Sequence, residues 1–207
     1  MKALYITEPH HIELIEKDDP EIRENESLLK ILGCGVCGTD LKIYKGETLA
    51  TYPIIPGHEI VGEIINSSKY EKGTKVTVDP NKPCGYCKYC REGKPHLCDD
   101  LKAVGVNRNG GFAELLSVPN DLIYPLNENI DVKSALFAEP LSCIIHGIDL
   151  SNFSFTDDIA IIGGGAIGLI FAMLFNKFSV GIKLIFEISQ EKITYIKKEF
   201  GFDVINP

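Results

Sequence analysis

Ile159-Ala160-Ile161-Ile162-Gly163-Gly164-Gly165-Ala166-Ile167-Gly168 decides how the second part of the chain folds. Four apolar residues run into the pattern Gly-x-Gly-x-x-Gly and then into an uncharged stretch that reaches Phe175. A short buried strand, a glycine turn and a helix satisfy that order. In such a turn Gly163 permits the tight bend, Gly165 lets the backbone approach a pyrophosphate, and Gly168 lets the helix pack closely on the strand. The helix N-terminus then meets the phosphates with its free N–H groups and its positive dipole end. The uncharged run falls short of the roughly 20 residues that span a bilayer, and its glycine run argues against a membrane segment.

Glu187 lies nineteen residues beyond Gly168, at the end of the run Ile182-Lys183-Leu184-Ile185-Phe186. An acid at that distance can bond the ribose hydroxyls and repels a 2′-phosphate, and Ile188-Ser189-Gln190-Glu191 brings no Arg to hold such a phosphate. The pattern therefore expects NAD rather than NADP, with a solvated strand-end charge as the competing reading of Glu187.

The stretches on either side fix the organisation. Residues 1 to about 125 carry short β-rich runs at 3–6, 12–15, 28–32, 60–65, 75–78 and 112–118, broken by Gly and Pro, which suggest a small barrel or sandwich. After Asp131 come helical patterns at 132–138 and 141–150, then strand, helix, strand, helix and a short final strand in Asp203-Val204-Ile205. That progression implies a parallel sheet. The reading is of a β-rich domain over residues 1–150 followed by an α/β dinucleotide-binding domain over residues 151–207. The latter holds two βα units and a third strand, where a complete fold has two βαβαβ halves, so the chain reads as the N-terminal portion of something longer.

With 207 residues, 44% of them hydrophobic, the chain can bury a sizeable core. A net charge of -8 and a pI near 5.2 work against nucleic acid and favour small molecules or other protein chains as partners. Glu8 interrupts the N-terminus before an apolar stretch of signal-peptide length can form, so the expected location is cytoplasmic. Seven cysteines in such a chain stay reduced and are available to metals or catalysis.

Cys84, Cys87 and Cys90, followed by Cys98, place four thiols within fifteen positions. Four thiolates complete a tetrahedral zinc and leave no open position, which makes the site structural. An iron–sulfur cluster is the competing metal reading. Its usual fourth Cys comes three residues later and precedes Pro, whereas here seven residues intervene and Asp99 follows. A disulfide or free thiols are the other readings.

Cys37-Gly38-Thr39-Asp40 and Gly57-His58-Glu59, with Glu139-Pro140-Leu141 as a third contributor, form a second candidate centre. A thiolate, an imidazole and a carboxylate suit zinc, and three protein donors leave a position for water or substrate. Taken singly, each has an ordinary explanation: a buried small thiol, a satisfied loop histidine, a helix-terminal acid before Pro. Their joint occurrence with the four-cysteine segment and the glycine turn, in this order, outweighs those explanations.

On these residues the whole chain resembles the zinc-containing medium-chain alcohol dehydrogenase family, and within it the sorbitol and threonine dehydrogenase branch. The resemblance implies a GroES-like β-rich catalytic domain followed by a partial Rossmann domain, two zinc ions per chain, one catalytic and one structural, and NAD as cofactor. By resemblance Cys37 and His58 are catalytic zinc ligands, Glu59 is a ligand or close neighbour, and Glu139 reaches zinc directly or through water. Asp40 would accept the other ring N–H of His58 and fix its tautomer. Thr39 matches the hydroxyl that carries the substrate proton away, while Lys42 stands where many relatives have His, which leaves the outer end of that proton path open. Cys34 and Cys143 fit neither metal set and read as buried structural thiols, and His10, His11, His96 and His146 have no assigned role.

The implied reaction is oxidation of a secondary alcohol or polyol to a ketone with hydride transfer to NAD, by an enzyme that is homo-oligomeric at full length. Three rival readings stand beside it. One is a truncated, inactive, zinc-stabilised NAD-binding fragment. The second is a zinc-free quinone reductase, disfavoured by the ligand sets present. The third is an aldehyde or primary-alcohol enzyme of the same family.

Overall fold

Apolar residues on the paired strands β3 (Glu26–Gly35) and β4 (Glu59–Asn66) meet in one core, with Leu29, Ile60 and Ile64 essentially solvent-free. The structure is a computed structural model that describes residues 1–154, 156–178 and 183–207; Ile182, counted above into the strand before Glu187, lies outside the described residues. The described residues fall into two compact units, Met1–Glu139 and Pro140–Pro207.

In the first unit, β1 (Lys2–Glu8) and β2 (His11–Glu16) form a two-stranded antiparallel sheet. A five-stranded antiparallel sheet runs in the order β8-β3-β4-β5-β9, where β5 is Lys75–Val78, β8 Leu115–Pro119 and β9 Ile123–Pro125. Val76, Val78, Leu116, Val118, Leu122 and Ile123 complete its core. Two register shifts in the β3–β4 pairing, at Leu28/Leu29 and Ile31/Gly33, bend the long strand. A second small sheet pairs β6 (Asn81–Lys82) with β7 (Lys102–Ala103), and the short helix α2 (Lys88–Arg91) lies between them in sequence. α3 (Val132–Ala135) is capped by Asp131, whose side chain accepts the Ser134 N–H.

One helix was not foreseen. α1 (Gly38–Lys45) starts at Cys37 and ends on Gly46 with φ 72°. Glycine supplies that left-handed C-terminus at no steric cost. α1 buries Ile43 and Asp40, and Ile43 joins Ile6 and Ile54 in a second small core.

In the second unit, α4 (Ala138–Leu150) spans the junction, and β10 (Ile159–Ile162), α5 (Ala166–Phe175), β11 (Lys183–Phe186), α6 (Gln190–Phe200) and β12 (Val204–Ile205) follow. The three strands are parallel, in the order β10-β11-β12, as the alternating pattern expected. Ala172, Ile185, Ile193, Ile196 and Val204 form the core between sheet and helices. Among the described residues no helix is long and apolar enough to cross a membrane. Cys143 corrects the sequence reading: it is exposed, because α4 turns Pro140 and Ile144 inward and leaves the neighbouring position outside.

Glu26 opens β3 and is buried, yet its carboxylate is fully engaged. Arg108 Nη2 donates to Oε1 at 2.6 Å and Ser117 Oγ donates to Oε2 at 2.7 Å. Burial alone would push this carboxyl up, but Arg108 and Ser117 prevail and hold it below its ordinary value. Glu26→Gln is expected to cost about 1–3 kcal/mol in urea unfolding at neutral pH. A carboxyl whose pKa folding lowers contributes fully above its unfolded value of about 4.3, and that contribution is lost as pH falls through the folded value. The wild-type and Glu26→Gln midpoints should therefore converge in acid; a constant gap would contradict the assignment.

Candidate metal centres and cofactor turn

Cys37 follows β3 by two residues and His58 immediately precedes β4, and the antiparallel register sets Gly35 opposite Glu59. The two segments thus end side by side. The ligand atoms of Cys37, His58 and Glu59 all lie within 4.8 Å of one another, with His58 buried and the other two half-buried. A tetrahedral zinc with bonds of about 2.0–2.3 Å needs donor pairs roughly 3.3–3.8 Å apart, so this donor set fits a metal with a small contraction. Three donors leave one position open.

Glycines make the approach possible. A Cβ on Gly35 would sit 1.9 Å from the Glu59 Oε2, and one on Gly57, at φ 94°, would fall 2.8 Å from both Cys34 Sγ and the Phe112 ring. Residues 55–57 pair with 110–112 through Gly110 N–H to Ile55 O, Gly111 N–H to Gly57 O and Phe112 N–H to Pro56 O, at 2.7–3.0 Å.

Thr39 Oγ1 lies 3.7 Å from Cys37 Sγ, on the same rim. Asp40 is buried and its Oδ1 faces His58 Nδ1 at 3.6 Å, too long for the expected hydrogen bond, and Nδ1 has no hydrogen-bond partner. Burial pushes the His58 imidazole down, but Asp40 and Cys37 lift it to about 9. Burial also pushes the Glu59 carboxyl up; His58 opposes this, and Glu139 and Asp40 add to it. Glu139 is thus close enough to bear on Glu59 electrostatically without being among the three converging donors. Cys34 is half-buried, and burial together with Asp40 and Glu59 pushes its thiol up to about 12, which suits an inert packing role.

The four-cysteine segment closes on itself. Cys84, Cys87, Cys90 and Cys98 bring their sulfurs within 4.8 Å of one another, with Cys87–Cys90 at 3.5 Å and Cys84–Cys90 at 3.9 Å, and none is in a disulfide. The S···S edge of a zinc tetrahedron with bonds of about 2.3 Å is about 3.8 Å, so the two shorter edges match that ion and the others, within 4.8 Å, need at most a small contraction. Peptide N–H groups of Cys90 and Asp99 lower the Cys87 thiol to about 6, while burial and the neighbouring thiols raise Cys90 to about 12.

In the second unit the glycines take the positions their spacing implied. Gly163 has φ 101°; a Cβ on Gly165 would meet nothing within 4 Å, which leaves its backbone open to approach; and a Cβ on Gly168 would fall 2.0 Å from Gly163 O. Gly164, passed over in the sequence, is also tightly placed, since a Cβ there would press on the end of the Ile196 side chain at 2.5 Å, a neighbour that can yield where Gly163 O cannot. Glu187 lies at the turn as its distance implied. Its Oε2 accepts the Gly164 N–H and its Oε1 accepts those of Ile188 and Ser189, each at 2.9 Å, with Lys192 Nζ 3.7 Å away. The Ser189 N–H leads these donors in holding the carboxyl below its ordinary value.

Two outcomes follow from this geometry. Gly168→Ala should cost about 1–3 kcal/mol in thermal or denaturant unfolding, because Gly163 O is backbone and cannot move aside cheaply. Cys37 and His58 must both give up a proton to become ligands, so metal affinity at this pair should rise with pH through the neutral range. Chelator-competition titration with Co²⁺ measures this, and an affinity flat between about pH 6.5 and 8.5 would contradict it.

Over 178 residues the chain is 38% identical to D-arabinitol dehydrogenase 1 of Uromyces fabae, covering 84% of this chain and 51% of that one. A protein described as a zinc-binding dehydrogenase from Sinorhizobium meliloti, bound to NADP, superposes with a TM-score of 0.93 at 31% identity, covering 100% of this chain and 61% of its own. A short chain alcohol dehydrogenase from Escherichia coli, complexed with NADH, gives a TM-score of 0.90 at 29% identity, with coverage of 100% and 62%. The chain therefore spans between about half and two thirds of the length of these relatives. Residues 23–128, half of the chain, match the profile of the alcohol dehydrogenase GroES-like domain, and the chain belongs to that family.

Proposed function

We propose that this chain is the metal- and cofactor-binding part of a zinc-dependent dehydrogenase that oxidises a secondary alcohol or polyol with NAD. The observation that carries the reading is the convergence of Cys37, His58 and Glu59 into a three-donor group with an open position, in a chain that also holds a closed four-thiol group. Residues 1–150 take the catalytic role and residues 151–207 the NAD-binding role. The similarity to a D-arabinitol dehydrogenase supports a polyhydroxylated substrate. Glu187 at the glycine turn supports NAD over NADP, although one relative binds NADP and another NADH. A cytoplasmic, homo-oligomeric enzyme completes the proposal.

When bound, zinc would supply Lewis acidity to an alcohol oxygen and NAD would accept the hydride. The protein's own groups do the rest. Cys37, His58 and Glu59, with Glu139 behind Glu59, hold the metal and leave one face free for the substrate. The Thr39 hydroxyl, on the rim beside Cys37, would relay the substrate's hydroxyl proton, accepting it as it releases its own. Lys42, one turn further along α1 and exposed, is the next polar group on that face, beside the solvent that would receive the proton. Cys84, Cys87, Cys90 and Cys98 hold the second zinc and fix the loop between β6 and β7. Gly163, Gly165 and Gly168 shape the turn that takes the pyrophosphate.

The length of the chain relative to its relatives favours one second reading, an NAD- and zinc-binding piece without turnover. The deciding experiment offers D-arabinitol, sorbitol, 2,3-butanediol and threonine to the purified zinc-replete chain and follows NADH formation. Turnover on at least one polyol or secondary alcohol is expected, lowered by roughly 10²-fold or more in Cys37→Ser. Two bound zinc ions with no turnover would decide for the second reading, and turnover unchanged by Cys37→Ser would overturn the site assignment.

A further inference from the structure

We infer that Asp40 is a positioning residue that sets the spacing of the two metal-binding segments by clamping their backbones, rather than by holding the His58 ring. The inference rests on the reading that Cys37 and His58 bind a metal. Asp40 is 5% exposed, and each carboxylate oxygen has a peptide partner. Oδ2 accepts the N–H of Cys37 at 2.8 Å, and Oδ1 accepts the N–H of Gly57 at 3.1 Å. The first donor belongs to a metal-binding residue itself and the second to the residue before one.

These bonds are to an ionised acceptor in a buried place, which makes them stronger than neutral ones. The ring contact is weaker in kind, since Oδ1 stands 3.6 Å from Nδ1 and makes no hydrogen bond to it. Helix α1 explains how one residue reaches both segments. Asp40 is the third residue of a helix capped at Cys37, so its side chain folds back over the first turn, and the sheet register brings Gly57 to the same place. The carboxylate therefore fixes the Cys37 backbone relative to that of His58 before any metal arrives.

Asp40→Asn separates the clamp from simple orientation of the ring. An amide still offers one oxygen where Oδ1 stands, facing Gly57 N–H and His58 Nδ1, but turns its NH₂ against the Cys37 N–H. In the full 207-residue chain, Co²⁺ affinity at the Cys37-dependent site is read by chelator competition and by the thiolate–cobalt absorption band. The expected loss is about 10- to 100-fold, with the four-thiol group still filled. Affinity within about twofold of wild type would overturn the clamp and leave ring orientation as the role of Asp40.

A second measurement needs no variant. Amide hydrogen exchange in the metal-free wild-type chain is expected to show Cys37 and Gly57 N–H protected like the N–H groups within β3, and exchange as fast as free loop amides would overturn the clamp even if Asp40→Asn fails to fold. The wild-type titration keeps the two ideas apart: absence of any Cys37→Ser-sensitive Co²⁺ site would sink the metal reading, whereas the exchange result decides the clamp by itself.

Discussion

Antiparallel pairing of β3 with β4, in the register that sets Gly35 opposite Glu59, is the constraint on which the rest of the candidate site depends. Residues 37 and 58 are far apart in sequence, and only this pairing makes them neighbours. A slip of one residue would turn every side chain of one strand to the other face, taking Ile60 and Ile64 out of the core and Glu59 away from Cys37. The core therefore enforces the site. Burial of about 1.5–3 kcal/mol per large aliphatic side chain, repeated along β4, holds the register against the mutual repulsion of Asp40, Glu59 and Glu139.

Close packing of backbone on backbone is the second consequence of that pairing. Gly57 O stands where side chains on Gly105 or Gly110 would collide, at 2.5 Å and 2.2 Å. The segment that carries His58 is thus enclosed by glycines on a neighbouring loop, with no side chain to yield. Such a site tolerates little displacement, which is what a three-donor metal group requires of its scaffold.

Features carried by local spacing were legible in the sequence. The four thiols and the three motif glycines announced themselves because each role depends on residues within one turn or one short loop, and the parallel strands followed from the βαβ alternation. What the sequence hid depends on contacts between distant segments. α1 begins at a cysteine followed by Gly38 and Thr39, both weak helix formers, so nothing in the string marked a helix, and with the helix hidden the reach of Asp40 was hidden too. Gly164 lacks a motif role and is constrained by Ile196 and Glu187, both on elements well removed in sequence. Cys143 was misplaced because a thiol on an apolar helix reads as buried, and only the orientation of α4 shows that this position faces out.

Both candidate binding turns use one device. At the metal group, the Asp40 carboxylate accepts peptide N–H groups from the two segments it joins; at the glycine turn, the Glu187 carboxylate accepts those of Gly164, Ile188 and Ser189. In each case an ionised acid gathers the backbone donors of a glycine-containing bend, so the shape of the bend is held by the chain alone. In the four-thiol group the sulfurs themselves, and not a carboxylate, accept the peptide N–H groups. Its sulfurs contact chiefly one another and a few peptide N–H groups. The two turns are thus shaped by backbone bonds to a carboxylate, whereas the four-thiol segment is closed by contacts among its own sulfurs and peptide N–H groups.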